Sequence, residues 1–213
     1  MKILLFGASG NIGSAITHEL ITRGHAVTGV TRTGNTTTNG TYTAKAGDVR
    51  NAATIAALAE GHDAVVSAIG PRHDGSDDDH DIIVGATTAL ITGLRQTTVK
   101  RLVVLGGAGS LETAPGVKVI DSPHFPAMWK ANALAQSEAL ELYRQVFDLD
   151  WTFVSPPKLI EPGTRTGHYR RGGDQLLTDE NGDSRISIAD FAIGFADEIE
   201  TPRALRARIS LAY

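Results

Sequence analysis

Residues 7–13 read GASGNIG, and the reading of the whole chain depends on what flanks them. Before them stands KILLF, Lys2 to Phe6, an apolar run of strand length. After them Ile12 to Arg23 carries a helical pattern that stops at Gly24, the residue type favoured for a left-handed helix end. In that setting Gly7 permits a tight turn, Gly10 lets a backbone approach a diphosphate, and Gly13 lets helix pack against strand. The helix N-terminus adds unpaired N–H groups for the anion, so Gly7, Ser9, Gly10, Asn11, Ile12 and Gly13 form the first candidate site. Ala26 to Thr31 supplies a second strand and completes a β-α-β unit.

The same alternation continues outward. The pattern predicts a strand at Tyr42 to Ala46, a helix from Asn51 to Glu60 stopped by Gly61, and a buried strand in DAVVSAIG, residues 63–70. A helix near Asp81 to Gln96, a strand at Arg101 to Leu105, a helix from Ala127 to about Phe147 and the strand WTFVS, 151–155, follow. Such an order predicts a parallel sheet covered by helices on both faces, an α/β doubly wound fold of Rossmann type. PRHDGSDDDHD, 71–81, reads as a solvated loop, because its spacing fits neither a zinc motif nor a calcium loop, and no metal site is expected. GGAGSLETAPGVKVIDSPHFPA, 106–127, has no periodicity and reads as a long connection walling a site. Beyond Pro156 and Pro157 the rhythm changes: a hairpin is expected in QLLTDENGDSRISI with its turn at Asn181-Gly182, then a helix near Ile188 to Glu200 and a strand in RARISLAY. Ser187 and Asp190 have capping-box spacing. One domain is expected, residues 1–155 binding a dinucleotide and 156–213 elaborating the substrate side.

Composition narrows the function classes. With 213 residues, 41% hydrophobic and 21% charged, the chain has the makeup of a globular protein. A net charge of -4 gives no basic field for nucleic acid or anionic lipid. The absence of cysteine excludes disulfides, thiolate metal sites and thiol nucleophiles. The opening MKILLFGASG is too short in its apolar part for a signal-peptide core or a membrane span, so a cytoplasmic protein with a small-molecule substrate is expected, as a monomer or homodimer.

The end of the second strand bears on the choice of dinucleotide. NAD-specific sites place a carboxylate there for the ribose hydroxyl, whereas this chain has VTRTG with Arg32. The planar guanidinium suits a 2′-phosphate, which favours NADP(H) over NAD(H), although a solvated surface arginine would look the same. The spacing G-x-x-G-x-x-G resembles the short-chain dehydrogenase/reductase superfamily in its extended and atypical branches. That resemblance implies that Asp48 and Val49 of GDVRN border the adenine, with Asp48 equally suited to a turn or helix cap. It also implies that Ala68, Ile69 and Gly70 of SAIG let the cofactor pass, and that Ser155 and Pro156 border the nicotinamide.

The superfamily's Tyr-x-x-x-Lys pair is missing. With Glu138 at the position where extended members carry Glu, the Lys position falls on Leu134 and the Tyr position on Lys130, within MWKANALA at 128–135. Tyrosine and lysine shuttle a proton to a carbonyl oxygen, so their replacement disfavours carbonyl reduction, dehydration and epimerisation. A flavin accepts hydride at nitrogen and takes its protons from solvent, so holding two planar rings together supplies much of the catalysis. WTFVSPP, EPGTRTGHYRRGGDQLL, GDSRIS and ADFA look like the small bacterial NADH-flavin reductase-like proteins of the atypical branch, related to the NmrA-like group. The resemblance implies an NAD(P)H-dependent oxidoreductase that reduces FMN, FAD or a quinone-like acceptor. Lys130 is its candidate catalytic residue, unless it merely reaches into water. Tyr169, Arg170 and Arg171 would meet the acceptor or else be surface residues. A non-catalytic NADP-binding redox sensor is the alternative, and a carbonyl reductase with a relocated acid, His124 being one candidate donor, ranks third.

Overall fold

The computed structural model describes residues 1–34, 40–70 and 79–213, without the side chain of Asp79. Residues 71–78 of the expected acidic loop lie outside the described residues. The chain runs β1 (Lys2–Phe6), α1 (Asn11–Thr22), β2 (Ala26–Thr31), β3 (Tyr42–Ala46), α2 (Ala52–Ala59), β4 (Ala64–Ser67), α3 (Asp79–Leu94) and β5 (Arg101–Leu105). It continues through β6 (Glu112–Ala114), β7 (Val117–Lys118), α4 (Lys130–Arg144), β8 (Asp150–Ser155), β9 (Leu159–Glu161), β10 (Arg170–Gly172), β11 (Arg185–Ser187), α5 (Ile188–Glu200) and β12 (Ala207–Ala212).

Eight strands form the main sheet in the order β10-β12-β8-β5-β4-β1-β2-β3. All neighbours are parallel except β10, which runs antiparallel along β12. The central strands are apolar on both sides because both faces are covered. On one face Ile55 of α2, Leu90 of α3 and Tyr143 of α4 pack with Phe6, Leu102, Trp151 and Phe153. On the other, Ile16 and Leu20 of α1 and Phe191 and Phe195 of α5 pack with Leu5, Val103, Val154 and Ile209. Strand order reverses between β1 and β4, so the crevice at their carboxyl ends is where ligands of such sheets bind.

Two expectations are corrected. The connection 106–127 is not without regular structure: it holds the β6–β7 hairpin and two short 3-10 turns, Val119–Asp121 and Ala127–Trp129. Hydrogen bonds from Glu112 N–H to Asp174 O (2.9 Å) and from Leu176 N–H to Glu112 O (2.8 Å) tie it to the C-terminal segment. The second correction concerns the hairpin. Gly182 takes φ +85° in a turn closed by Asp179 N–H to Asp183 O (2.8 Å), so the turn forms where expected. Its arms do not pair, however, because the residues after it are taken by a distant partner, β11 lying parallel to β9.

Candidate functional site

Gly7 sits at φ +83°, and a Cβ there would lie 2.6 Å from the carbonyl oxygen of Ala68. At Gly13 a Cβ would come within 2.0 Å of the Gly7 carbonyl oxygen. The fold itself therefore requires these two glycines. Gly10 differs: it caps α1 with φ -73° and ψ 165°, open to any residue, and a Cβ would meet nothing closer than the Gly7 oxygen at 3.4 Å. Among the described residues no contact demands its bareness.

The first turn of α1 has no side-chain cap and no acidic residue. Ser14 N–H already bonds Gly10 O (2.8 Å), leaving the N–H groups of Asn11, Ile12 and Gly13 as the orphan donors of the helix start. Ser9 and Asn11 are exposed beside them and Ile12 is half-buried. A bare, exposed Gly10 in front of free donors at a positive helix end is a cradle that fits a diphosphate. Across the crevice Ala68 is anchored by its N–H to Phe6 O (2.9 Å) and Ile69 is half-buried. Gly70 has open space where a side chain would go.

At the carboxyl ends of β2 and β3, Arg32 is exposed and Asp48 forms a turn. Asp48 Oδ1 accepts from Arg50 N–H (2.9 Å), and its carbonyl accepts from Asn51 N–H (3.1 Å). The Arg50 N–H holds the Asp48 carboxyl below its ordinary range against the effect of burial, helped by the guanidinium groups of Arg50 and Arg32. Arg32 and Asp48 thus share one electrostatic neighbourhood, with Val49 half-buried against the core beside them. A cavity of about 520 Å³ between α2 and α3 adjoins it, bordered by Arg50, His80, Val84 and Gly85.

At the other end, Ser155 and Pro156 are buried where β8 stops. Lys130 is exposed as the first residue of α4, and Leu134, one turn on, is exposed as well. The structure thus places Lys130 on the rim. The inward side of this helix carries Asn132, Ala133 and Gln136 instead: a Cβ on Gly109 would lie 2.6 Å from Ala133 Cβ, and one on Gly107 would lie 3.1 Å from Gln136 Cβ. Asn132 escaped sequence reading, since nothing in its spacing distinguishes it from a surface residue.

The residues expected to meet an acceptor are committed within the chain. Tyr169 donates to Asp197, and burial with that carboxylate pushes its hydroxyl up to about 12. Arg170 donates to the carbonyls of Thr178 and Tyr213, and Arg171 lies 3.5 Å from Glu198. They anchor β10. Only half of the expected capping box forms: Ser187 Oγ accepts from Asp190 N–H (3.0 Å), but the Asp190 carboxylate accepts from Thr166 N–H, Gly167 N–H and the hydroxyls of Thr166 and Tyr213. This clamp folds the 164–167 loop onto α5, and Arg165 reaches Glu19 of α1 at 2.9 Å. Sequence reading missed both contacts because each joins residues far apart in the chain.

Comparison with known proteins agrees with this geometry. A family profile described as NAD(P)H-binding matches residues 7–198. A crystal structure from Burkholderia pseudomallei, called a "putative exported protein", is 46% identical with TM-score 0.91, and the match covers 100% of both chains. A "putative epimerase" from Bacteroides thetaiotaomicron is 35% identical with TM-score 0.89, covering 100% of this chain and 96% of that one. A "putative NADH-flavin reductase" from Streptococcus pneumoniae is 34% identical with TM-score 0.87, covering 100% and 99%. Among the described residues no helix is long and apolar enough to cross a membrane. The chain belongs to the NAD(P)H-binding family.

Proposed function

We propose that the protein is an NADPH-dependent reductase, with NADH as the weaker donor, acting on a flavin or a quinone-like planar acceptor. The observation that carries this reading is the bare, exposed Gly10 in front of the α1 donors; it is joined by α4, where the positions that the resemblance assigns to a proton-shuttling pair are an exposed Lys130 and Leu134 and hold no tyrosine. In this reading the α1 donors hold the diphosphate and Arg32 pairs with the 2′-phosphate beside Asp48 and Val49. Ala68, Ile69 and Gly70 leave room for the sugar, while Ser155 and Pro156 wall the nicotinamide side. Bound there, the reduced nicotinamide would supply hydride, and a proton from solvent would complete the reduction at a flavin nitrogen or a quinone oxygen. Lys130 on the rim draws an anionic acceptor toward the crevice and faces its charge, with residues 1–155 carrying the nucleotide and 156–213 shaping the acceptor side. The name of the Streptococcus pneumoniae relative supports the choice of flavin.

A non-catalytic NADP sensor is the second reading, favoured by the same missing pair on α4. NADPH oxidation measured with FMN, FAD and a quinone in turn separates the two. Turnover with at least one acceptor is expected. Micromolar NADPH binding with no acceptor reduced above the buffer rate would sink the reductase and favour the sensor.

A further inference from the structure

We propose that Asn132, together with Ser155, holds the nicotinamide end of the nucleotide by hydrogen bonds to its carboxamide; this deepens the reading above and rests on it. Five buried polar side-chain atoms lack a hydrogen-bond partner among the described residues: His62 Nδ1, Arg101 Nε, Asn132 Nδ2, Tyr143 Oη and Ser155 Oγ. His62 precedes β4, Arg101 opens β5 and Tyr143 lies in the last turn of α4, all toward the amino edge of the sheet. Only Asn132 and Ser155 belong to the carboxyl edge, where the crevice lies.

Leaving a buried polar group unpaired forfeits its bonds to water without replacing them, so such groups normally have a partner. Ser155 is fully buried at 0% exposure. Ser210, its neighbour in register on β12, shows the ordinary outcome, its hydroxyl donating to Gln175 O at 3.2 Å. Side chains alternate along a strand, and Trp151 and Phe153 of β8 both meet Tyr143 of α4. Ser155, two residues past Phe153, therefore faces the α4 side. Asn132 stands in the first turn of α4, one turn before Gln136, where Ala133 and Gln136 pack against Gly109 and Gly107 just beyond β5. Both orphan groups thus lie at the level of the strand ends, on the α4 face. One is an amide donor, the other a hydroxyl that donates or accepts, and neither carries charge. They match an uncharged carboxamide, with one carbonyl and one amino group, better than a phosphate.

The test is calorimetry of wild type, Asn132→Leu and Ser155→Ala with NADP⁺ and with adenosine 2′,5′-bisphosphate, which has the adenine half but no nicotinamide. Each variant should weaken NADP⁺ roughly three- to tenfold, the loss of one neutral hydrogen bond, and leave the bisphosphate within about twofold. The thermal midpoint of the ligand-free variants should stay level or rise, because a buried orphan has gone. Variants that keep the wild-type ratio of the two affinities, or lose both ligands alike, overturn the assignment while the cradle stands. A wild type that binds neither ligand overturns the nucleotide reading, and this inference with it.

Discussion

Replacing Gly10 by alanine should separate binding from folding in a way that Gly7 and Gly13 cannot. At Gly10 the added methyl meets its nearest neighbour at 3.4 Å, in a backbone conformation any residue adopts. Alanine is a poorer helix cap than glycine by several tenths of a kcal/mol, and it stiffens the unfolded chain by a gain of about 0.4–1 kcal/mol. The two effects nearly cancel, so urea unfolding of Gly10→Ala should stay within about 1 kcal/mol of wild type. The same methyl stands where a diphosphate would approach the free N–H groups. Charge-assisted hydrogen bonds contribute about 1.5–3 kcal/mol each, and losing two weakens binding a hundredfold or more. At Gly13 the methyl lands 2.0 Å from a carbonyl oxygen, and Gly13→Ala should lose about 1–3 kcal/mol of stability before any ligand is added. Calorimetry with NADPH, paired with unfolding curves, checks both. Wild-type affinity in Gly10→Ala would show that no diphosphate lies over this residue.

Other outcomes follow from the charged contacts. Arg32→Ala should weaken NADPH tenfold or more and NADH by far less, and equal losses in titrations of the two would show that Arg32 does not read the phosphate. Glu198→Ala should cost about 3–5 kcal/mol in denaturant unfolding, because it leaves Arg101 buried without the carboxylate 3.2 Å away. Asp190→Ala removes the acceptor of four hydrogen bonds and should cost about 2–4 kcal/mol. Burial opposes ionisation of Asp190, yet the Tyr213 and Thr166 hydroxyls and the N–H groups of Gly167 and Thr166 hold its carboxyl below the ordinary value. Its stabilising effect is therefore full above the unfolded-chain value, roughly pH 4, and fades as pH falls through the lowered one. Thermal midpoints measured down the acid limb should drop less steeply in Asp190→Ala than in wild type; parallel limbs would exclude Asp190 as a source of the acid loss.

The strands of the nucleotide half were legible because they are buried on both faces and bounded by glycines whose conformations the structure bears out, as at Gly24 and Gly61 with φ +83° and +76°. Turn chemistry was legible too, down to Asn181-Gly182. What was hidden is pairing between distant segments: nothing near 185–187 announces β9 as its partner, and the side chain of Asp190 follows Thr166 and Tyr213 rather than its own helix start. The glycine loop could be placed from sequence because its geometry is local. The inward side of α4 could not, because only about half a turn of helix separates Lys130 from Asn132 and decides which of them faces the crevice.

The place of β12 between β8 and β10 governs how the chain comes together. Until residues 207–212 have left the ribosome, β8 offers a row of unsatisfied amides and carbonyls along one side, and β10 has no strand to lean on. The nascent polypeptide therefore keeps an open flank along β8, a template for pairing with another chain, until the last strand closes it.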